Sequence, residues 1–124
     1  MRDTILKPVF ERQDNRGLFQ ELLSSGTWES LIYMRMNPDA VIGNHYHKKT
    51  EIFLYLLSGS AEIKTVHVES GERDRIVMLA GNGIALQPYY SHAIRFTSES
   101  EAIMLKSRRY EEADPDTYSF PVES

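Results

Sequence analysis

The sequence holds four histidines, at positions 45, 47, 67 and 92, and two of them stand one residue apart as His45-Tyr46-His47. On a β-strand, residues i and i+2 share a face, with Cα atoms ~6.6 Å apart at ~3.3 Å of rise per residue. Two imidazoles at that spacing can converge on one cation, with nitrogen ~2.0–2.1 Å away if the ion is zinc. Glu51 comes later and would stand ~13 Å from His47 on a straight strand. For it to share the ion, Lys48-Lys49-Thr50 must turn the chain. His92 follows the turn Pro88-Tyr89-Tyr90-Ser91 and has the parity of Ile94 and Phe96. An inward imidazole among apolar neighbours needs a polar partner, and a metal ion supplies one. A lone histidine is ordinarily a surface or core-capping residue, and His67 is read that way. The spacing therefore predicts a divalent metal (zinc, manganese, iron or nickel) on His45, His47, Glu51 and His92.

Strands must position these side chains, because helical periodicity is almost absent. Most of the chain reads as short runs of β-branched, aromatic and aliphatic residues separated by turn chemistry. A first barrel strand is predicted over Glu29 to Met36, closed by Asn37-Pro38-Asp39. Ile52-Phe53-Leu54-Tyr55-Leu56-Leu57 is apolar on both alternating faces, so both sides of that strand should be covered. A dimer that covers its outer side would satisfy this. Further strands are expected over 61–65, 75–79, 83–87, 92–96 and 102–106. The expectation is one domain over residues 1–124, with a barrel core over about 29–107, an N-terminal strand-and-loop segment over 1–28 and an irregular tail over 108–124.

Composition excludes several functions. The chain has 124 residues, 14 basic and 18 acidic, for a net charge of −4. This balance argues against a surface that tracks nucleic-acid phosphates. With no cysteine, disulfides, thiolate metal sites and a cysteine nucleophile are all excluded. No apolar run approaches the ~20 residues of a membrane helix. The start, Met1-Arg2-Asp3-Thr4-Ile5-Leu6-Lys7-Pro8, lacks the apolar heart of a signal peptide. A cytoplasmic protein is expected.

Gly43-Asn44-His45-Tyr46-His47-Lys48-Lys49-Thr50-Glu51 followed by Gly59 resembles the first motif of the cupin superfamily, and Gly83, Pro88 and His92 resemble the second. Gly43 lies closer to His45 than usual, and Phe96 stands where the second motif closes with Asn. The resemblance spans residues 29–107. It implies an all-β double-stranded β-helix, a jelly roll, with the metal inside the barrel mouth. Asp14-Asn15-Arg16-Gly17-Leu18-Phe19-Gln20-Glu21 is similar to a segment near the start of deoxysugar nucleotide 3,5-epimerases. Asn44-His45-Tyr46-His47 together with Pro115-Asp116-Thr117-Tyr118 is similar to the C-terminal cupin domain of bifunctional capsular-polysaccharide UDP-sugar enzymes. Those enzymes also carry a reductase; no Gly-x-Gly-x-x-Gly fingerprint occurs in these residues, so none is expected here.

The resemblance implies epimerisation or isomerisation of a keto sugar nucleotide in surface-polysaccharide synthesis. A metal at the 4-keto oxygen would stabilise the charge that forms when the neighbouring carbon loses its proton. Tyr46, Tyr55, Tyr89 and Tyr90 are hydroxyl donors near the constellation, of which Tyr55 and Tyr90 are the catalytic candidates; β-sheet packing is the plainer explanation for each. Arg16, Glu21 and Lys48 are expected to hold the nucleotide end, Arg16 through a bidentate grip on diphosphate. The 3,5-epimerases use a His–Asp base without metal, so the base here is unassigned. Two other functions fit the same residues: a non-haem iron dioxygenase, since three His and a Glu also hold iron in cupins, and a sugar-binding module without turnover.

Overall fold

The computed structural model describes residues 5–122. The outermost residues of the expected domain, 1–4 and 123–124, lie outside the described residues, as does the start of the segment read against a signal peptide. The described chain is built of strands: β1 Ile5–Leu6, β2 Phe10–Asp14, β3 Gly17–Glu21, β4 Ser30–Met36, β5 Val41–Tyr46, β6 Ile52–Ser58, β7 Ser60–His67, β8 Arg73–Leu79, β9 Gly83–Leu86, β10 Tyr90–Phe96, β11 Ser100–Lys106 and β12 Tyr118–Ser119. Two five-stranded sheets, ordered β1-β9-β6-β11-β4 and β12-β5-β10-β7-β8, enclose the core, and β2 and β3 form a separate hairpin. Every pairing is antiparallel. This is the expected all-β jelly-roll architecture.

Alternation decides what each strand buries. Ile52, Leu54 and Leu56 of β6 meet Ile63, Met78, Ile84, Leu86, Ile94, Phe96, Ala102 and Met104 between the sheets. Burying one such side chain contributes roughly 1.5–3 kcal/mol, so these alternating positions dominate the fold. The opposite face of β6 carries Phe53, Tyr55 and Leu57. Phe53 is only 3% exposed within the single chain, in a region where Leu6, Leu23 and Trp28 line a common cavity with it. The outer cover expected from a second copy is thus supplied, for Phe53, by this chain.

The N-terminal segment is more ordered than its composition indicates, because residues 10–21 pair as a hairpin in full register. Its apolar residues Phe10, Leu18 and Phe19 remain more than half exposed. The tail after β11 runs without strands to residue 117 and then pairs Tyr118 with Tyr46 and Ser119 with His45. That pairing brings the tail against the strand that carries the histidines.

Candidate metal centre

β5 and β10 lie side by side, with His45 paired to His92. The register then slips: Ala93 pairs with Gly43, leaving Asn44 as the extra residue of a β-bulge. Asn44 adopts a left-handed φ of 59° and Gly43 a φ of 103°, values that Asn and Gly tolerate better than other residues. A Cβ on Gly43 would lie 2.4 Å from the carbonyl oxygen of His92. The bare glycine therefore lets the two strands approach at the site. The bulge also resets parity, so that Ile42 and His45, three positions apart, line one cavity together.

His45, His47 and His92 each offer a ring nitrogen, and these atoms lie within 4.8 Å of one another. The ring of His45 stands 5.0 Å from those of His47 and His92, centroid to centroid. His47 and His92 are buried. Burial pushes the proton affinity of all three imidazoles down, that of His92 to about 3. At neutral pH they are uncharged and present lone pairs.

The tautomer of His47 is set by geometry. Its Nδ1 lies 2.6 Å from the backbone carbonyl of Asp116; a carbonyl only accepts, so Nδ1 carries the hydrogen and Nε2 the lone pair. That Nε2, and Nδ1 of His92, are buried without a hydrogen-bond partner among the described residues. Buried polar atoms of this kind are rare unless something occupies their lone pairs. Three neutral imidazoles whose free nitrogens converge fit a divalent ion such as zinc, which also accepts three histidines plus one open position.

Asp116 holds this corner together. Its side chain is 2% exposed and accepts hydrogen bonds from the backbone N–H of Lys48, Lys49 and Thr50 and from Thr50 Oγ1, at 2.8–3.0 Å. Burial alone would raise its proton affinity, but these four donors together outweigh it and the carboxyl is shifted below its ordinary value. The tail is further tied down where Phe120 N–H donates to the Asn44 carbonyl and Val122 N–H to Asn44 Oδ1.

The turn at 48–50 exists, but it does not bring Glu51 into the histidine group. Glu51 is exposed, stands outside the histidine group and lines a different cavity with Trp28 and Phe53. The reason is alternation: Ile52 takes the inward position at the start of β6 and faces the histidines, which turns its neighbour outward. Tyr55 likewise lies on the outer face of β6, beside Gly83. Tyr90 packs on His67, ring centroids 4.7 Å apart, and Tyr46 on Tyr118 and Phe120. Among the residues lining the histidine cavity there is no tyrosine.

The expected nucleotide contacts also stand apart from the cavity. Arg16 is exposed on the β2–β3 hairpin, where it donates to Asp14 from Nη2 at 2.6 Å and from Nε at 3.2 Å. Glu21 is exposed at the end of β3. Lys48 places its ammonium 4.3 Å from the centre of the Tyr118 ring.

Lys106 is the cavity residue that pattern reading missed. Ala102 and Met104 point inward from β11, so the same parity carries Lys106 inward at the strand's end. It lines the cavity of about 230 Å³ with Ile32, Met34, Ile52 and Met104. Its charge, after burial, also lowers the proton affinity of each of the three histidines.

A family model described as polysaccharide biosynthesis C-terminal domain matches residues 12–118. No curated protein matches the chain in sequence. Among solved structures, the capsular polysaccharide assembling protein CapF from Staphylococcus aureus superposes with a TM-score of 0.71 at 23% identity, covering 93% of this chain and 33% of that one. The chain therefore spans about a third of the CapF chain. A 3,4-ketoisomerase from Helicobacter canadensis gives a TM-score of 0.75 at 22% identity, covering 94% and 90%. The Mycobacterium tuberculosis rmlC epimerase gives 0.74 at 17% identity, covering 88% and 64%. Likeness at these identities establishes the shared fold.

Proposed function

The chain belongs to the family of polysaccharide biosynthesis C-terminal domains, and from that premise we propose that it is a metal-dependent isomerase or epimerase of a keto sugar nucleotide. The observation that carries this reading is the convergence of His45, His47 and His92 at one apolar cavity with two orphaned ring nitrogens. A divalent ion held by these three residues would supply Lewis acidity toward a keto oxygen. The walls, Ile32, Met34, Ile42, Ile52, Ile94 and Met104, are apolar, which strengthens electrostatic interactions beside them. A volume of about 230 Å³ falls below the ~300–1,000 Å³ of pockets that enclose a whole ligand. It suits the sugar ring, with the nucleotide lying outside.

For that outer part the reading keeps Arg16, Glu21 and Lys48, all exposed; to grip a diphosphate, Arg16 would exchange its bonds to Asp14 for it. A homodimer in the cytoplasm belongs to the same reading. Supporting association is the edge strand β4, whose Leu31 is 69% and Tyr33 54% exposed; size-exclusion chromatography with light scattering tests it. No helix of the described residues is long and apolar enough to cross a membrane.

The deciding experiment incubates metal-loaded protein with 4-keto UDP- and dTDP-sugars in heavy water. Deuterium should enter at the carbon beside the ketone, and His47→Ala should stop it. No exchange in the wild type, with product formation absent too, removes the enzymatic reading. Tight binding of the sugar nucleotide under those conditions would leave a binding module.

A further inference from the structure

The histidine cavity contains one formal charge, and it is positive. Lys106 points into it from the end of β11, beside Ile52 of β6 and Ser30 of β4. No carboxylate lines the cavity, and no ion pair or hydrogen bond holds the Lys106 ammonium among the described residues. Lys106 is half-buried there, so its charged end stands at the cavity beside the isoleucines and methionines. It lines the same cavity as all three imidazoles, so its charge opposes any cation they bind. Without Glu51 in the donor set, neither the ion nor the lysine is neutralised by the protein.

We propose that Lys106 makes this cavity an anion receptor, so that the divalent cation on His45, His47 and His92 and an anionic oxygen beside the Lys106 ammonium bind with positive coupling. The missing negative charge is brought by the ligand. Given the function proposed above, on which this part rests, that ligand is the keto sugar. When the C–H bond beside its ketone breaks, the proton goes to a base and the electron pair becomes a carbon–carbon π bond. The charge then moves onto the carbonyl oxygen, where Lys106 meets it. Substrates that form such an oxyanion, or carry a carboxylate there, are favoured over neutral polyols.

The coupling is measurable without turnover, using cobalt(II) as the ion and azide as the anion. Linkage makes the two affinities rise by the same factor. In the wild-type chain, cobalt should bind at least ~10-fold tighter at saturating azide, a size expected for one unscreened charge at close range. Lys106→Met should bind cobalt more tightly than wild type in the absence of azide and lose most of the coupling. Lys106→Gln provides the same comparison should the methionine variant fold poorly, and Lys106→Arg should keep the coupling. The visible spectrum of bound cobalt reports azide binding directly. Equal azide affinity in wild type and Lys106→Gln, with cobalt bound in both, overturns this proposal and leaves the isomerase reading standing. Failure of the wild type to bind cobalt overturns both.

Discussion

The Nδ1 atom of His47 and the carbonyl oxygen of Asp116 lie 2.6 Å apart although 69 residues separate them in the chain. This contact makes the tail a part of the histidine cluster. The peptide of residue 116 fixes the tautomer of His47, and the carboxylate of the same residue holds the turn that follows His47.

Asp116→Ala removes the acceptor for three backbone N–H groups of that turn. A buried donor left unanswered costs about 1–3 kcal/mol, and the Thr50 N–H is the buried one of the three, so urea melts should show a loss of about 1–3 kcal/mol. The carbonyl that orients His47 survives this substitution, so zinc titration of Asp116→Ala should show a drop only through loosening of the 48–50 turn, up to about 10-fold. Asp116→Asn keeps the shape and should fall between. Wild-type stability together with wild-type zinc affinity in Asp116→Ala would show that the tail holds nothing.

Metal stoichiometry separates the structural ligand set from the one expected by spacing. One zinc per chain should bind to wild type and to Glu51→Gln alike, since Glu51 lies outside the histidine group. His45→Ala, His47→Ala and His92→Ala should each abolish tight binding in calorimetry. A Glu51→Gln variant that binds zinc as poorly as His47→Ala would restore the carboxylate to the centre.

The metal-free chain should lose stability in acid through its histidines. Burial, followed by the charges of His45 and His47, depresses His92 from 6.5 to about 3, and burial shifts His45 and His47 the same way. Between those values the unfolded chain binds more protons than the folded one, so stability rises with pH across that window. The contribution is complete above about 6.5 and is lost progressively as pH falls toward 3. Asp116 adds a loss of the same sign only below its ordinary 3.8. Thermal melts of chelator-treated protein should fall steeply below neutrality, and less so in His92→Asn. A flat melting profile from pH 7 to pH 4, roughly, would contradict the burial of these rings.

Gly43→Ala should damage the site more than its size implies. The added methyl meets the His92 carbonyl oxygen at 2.4 Å on a residue with φ of 103°, which forces β5 and β10 apart. A stability loss of about 1–3 kcal/mol, typical of overpacking, should accompany weakened zinc binding. A variant that binds zinc normally would mean the strands can separate without moving His92.

How far the site could be read in advance depended on whether a residue obeys simple alternation. His45, His47 and His92 were legible because two share a strand face and the third keeps parity with Ile94 and Phe96, which are buried. Glu51 was misplaced because a carboxylate at motif spacing says nothing of which side it faces; Ile52, one position on, claimed the interior. Tyr55 stands on the outer face for a related reason, since a strand apolar on both faces hides which face is the core. Lys106 carried a usable signal, the inward parity of Ala102 and Met104, that its charge disguised. The β2–β3 hairpin and the pairing of Tyr118 with Tyr46 depend on register and long-range contacts that local composition does not encode.

The bulge at Asn44 has an evolutionary corollary. An odd number of steps separates Ile42 from His45, yet both look into the same hollow, so the segment keeps time by length as well as by chemistry. Loss or gain of one residue there would swing the two flanking stretches to opposite sides while leaving every histidine spelled correctly. Homologues should therefore vary the letters of this stretch more readily than their number.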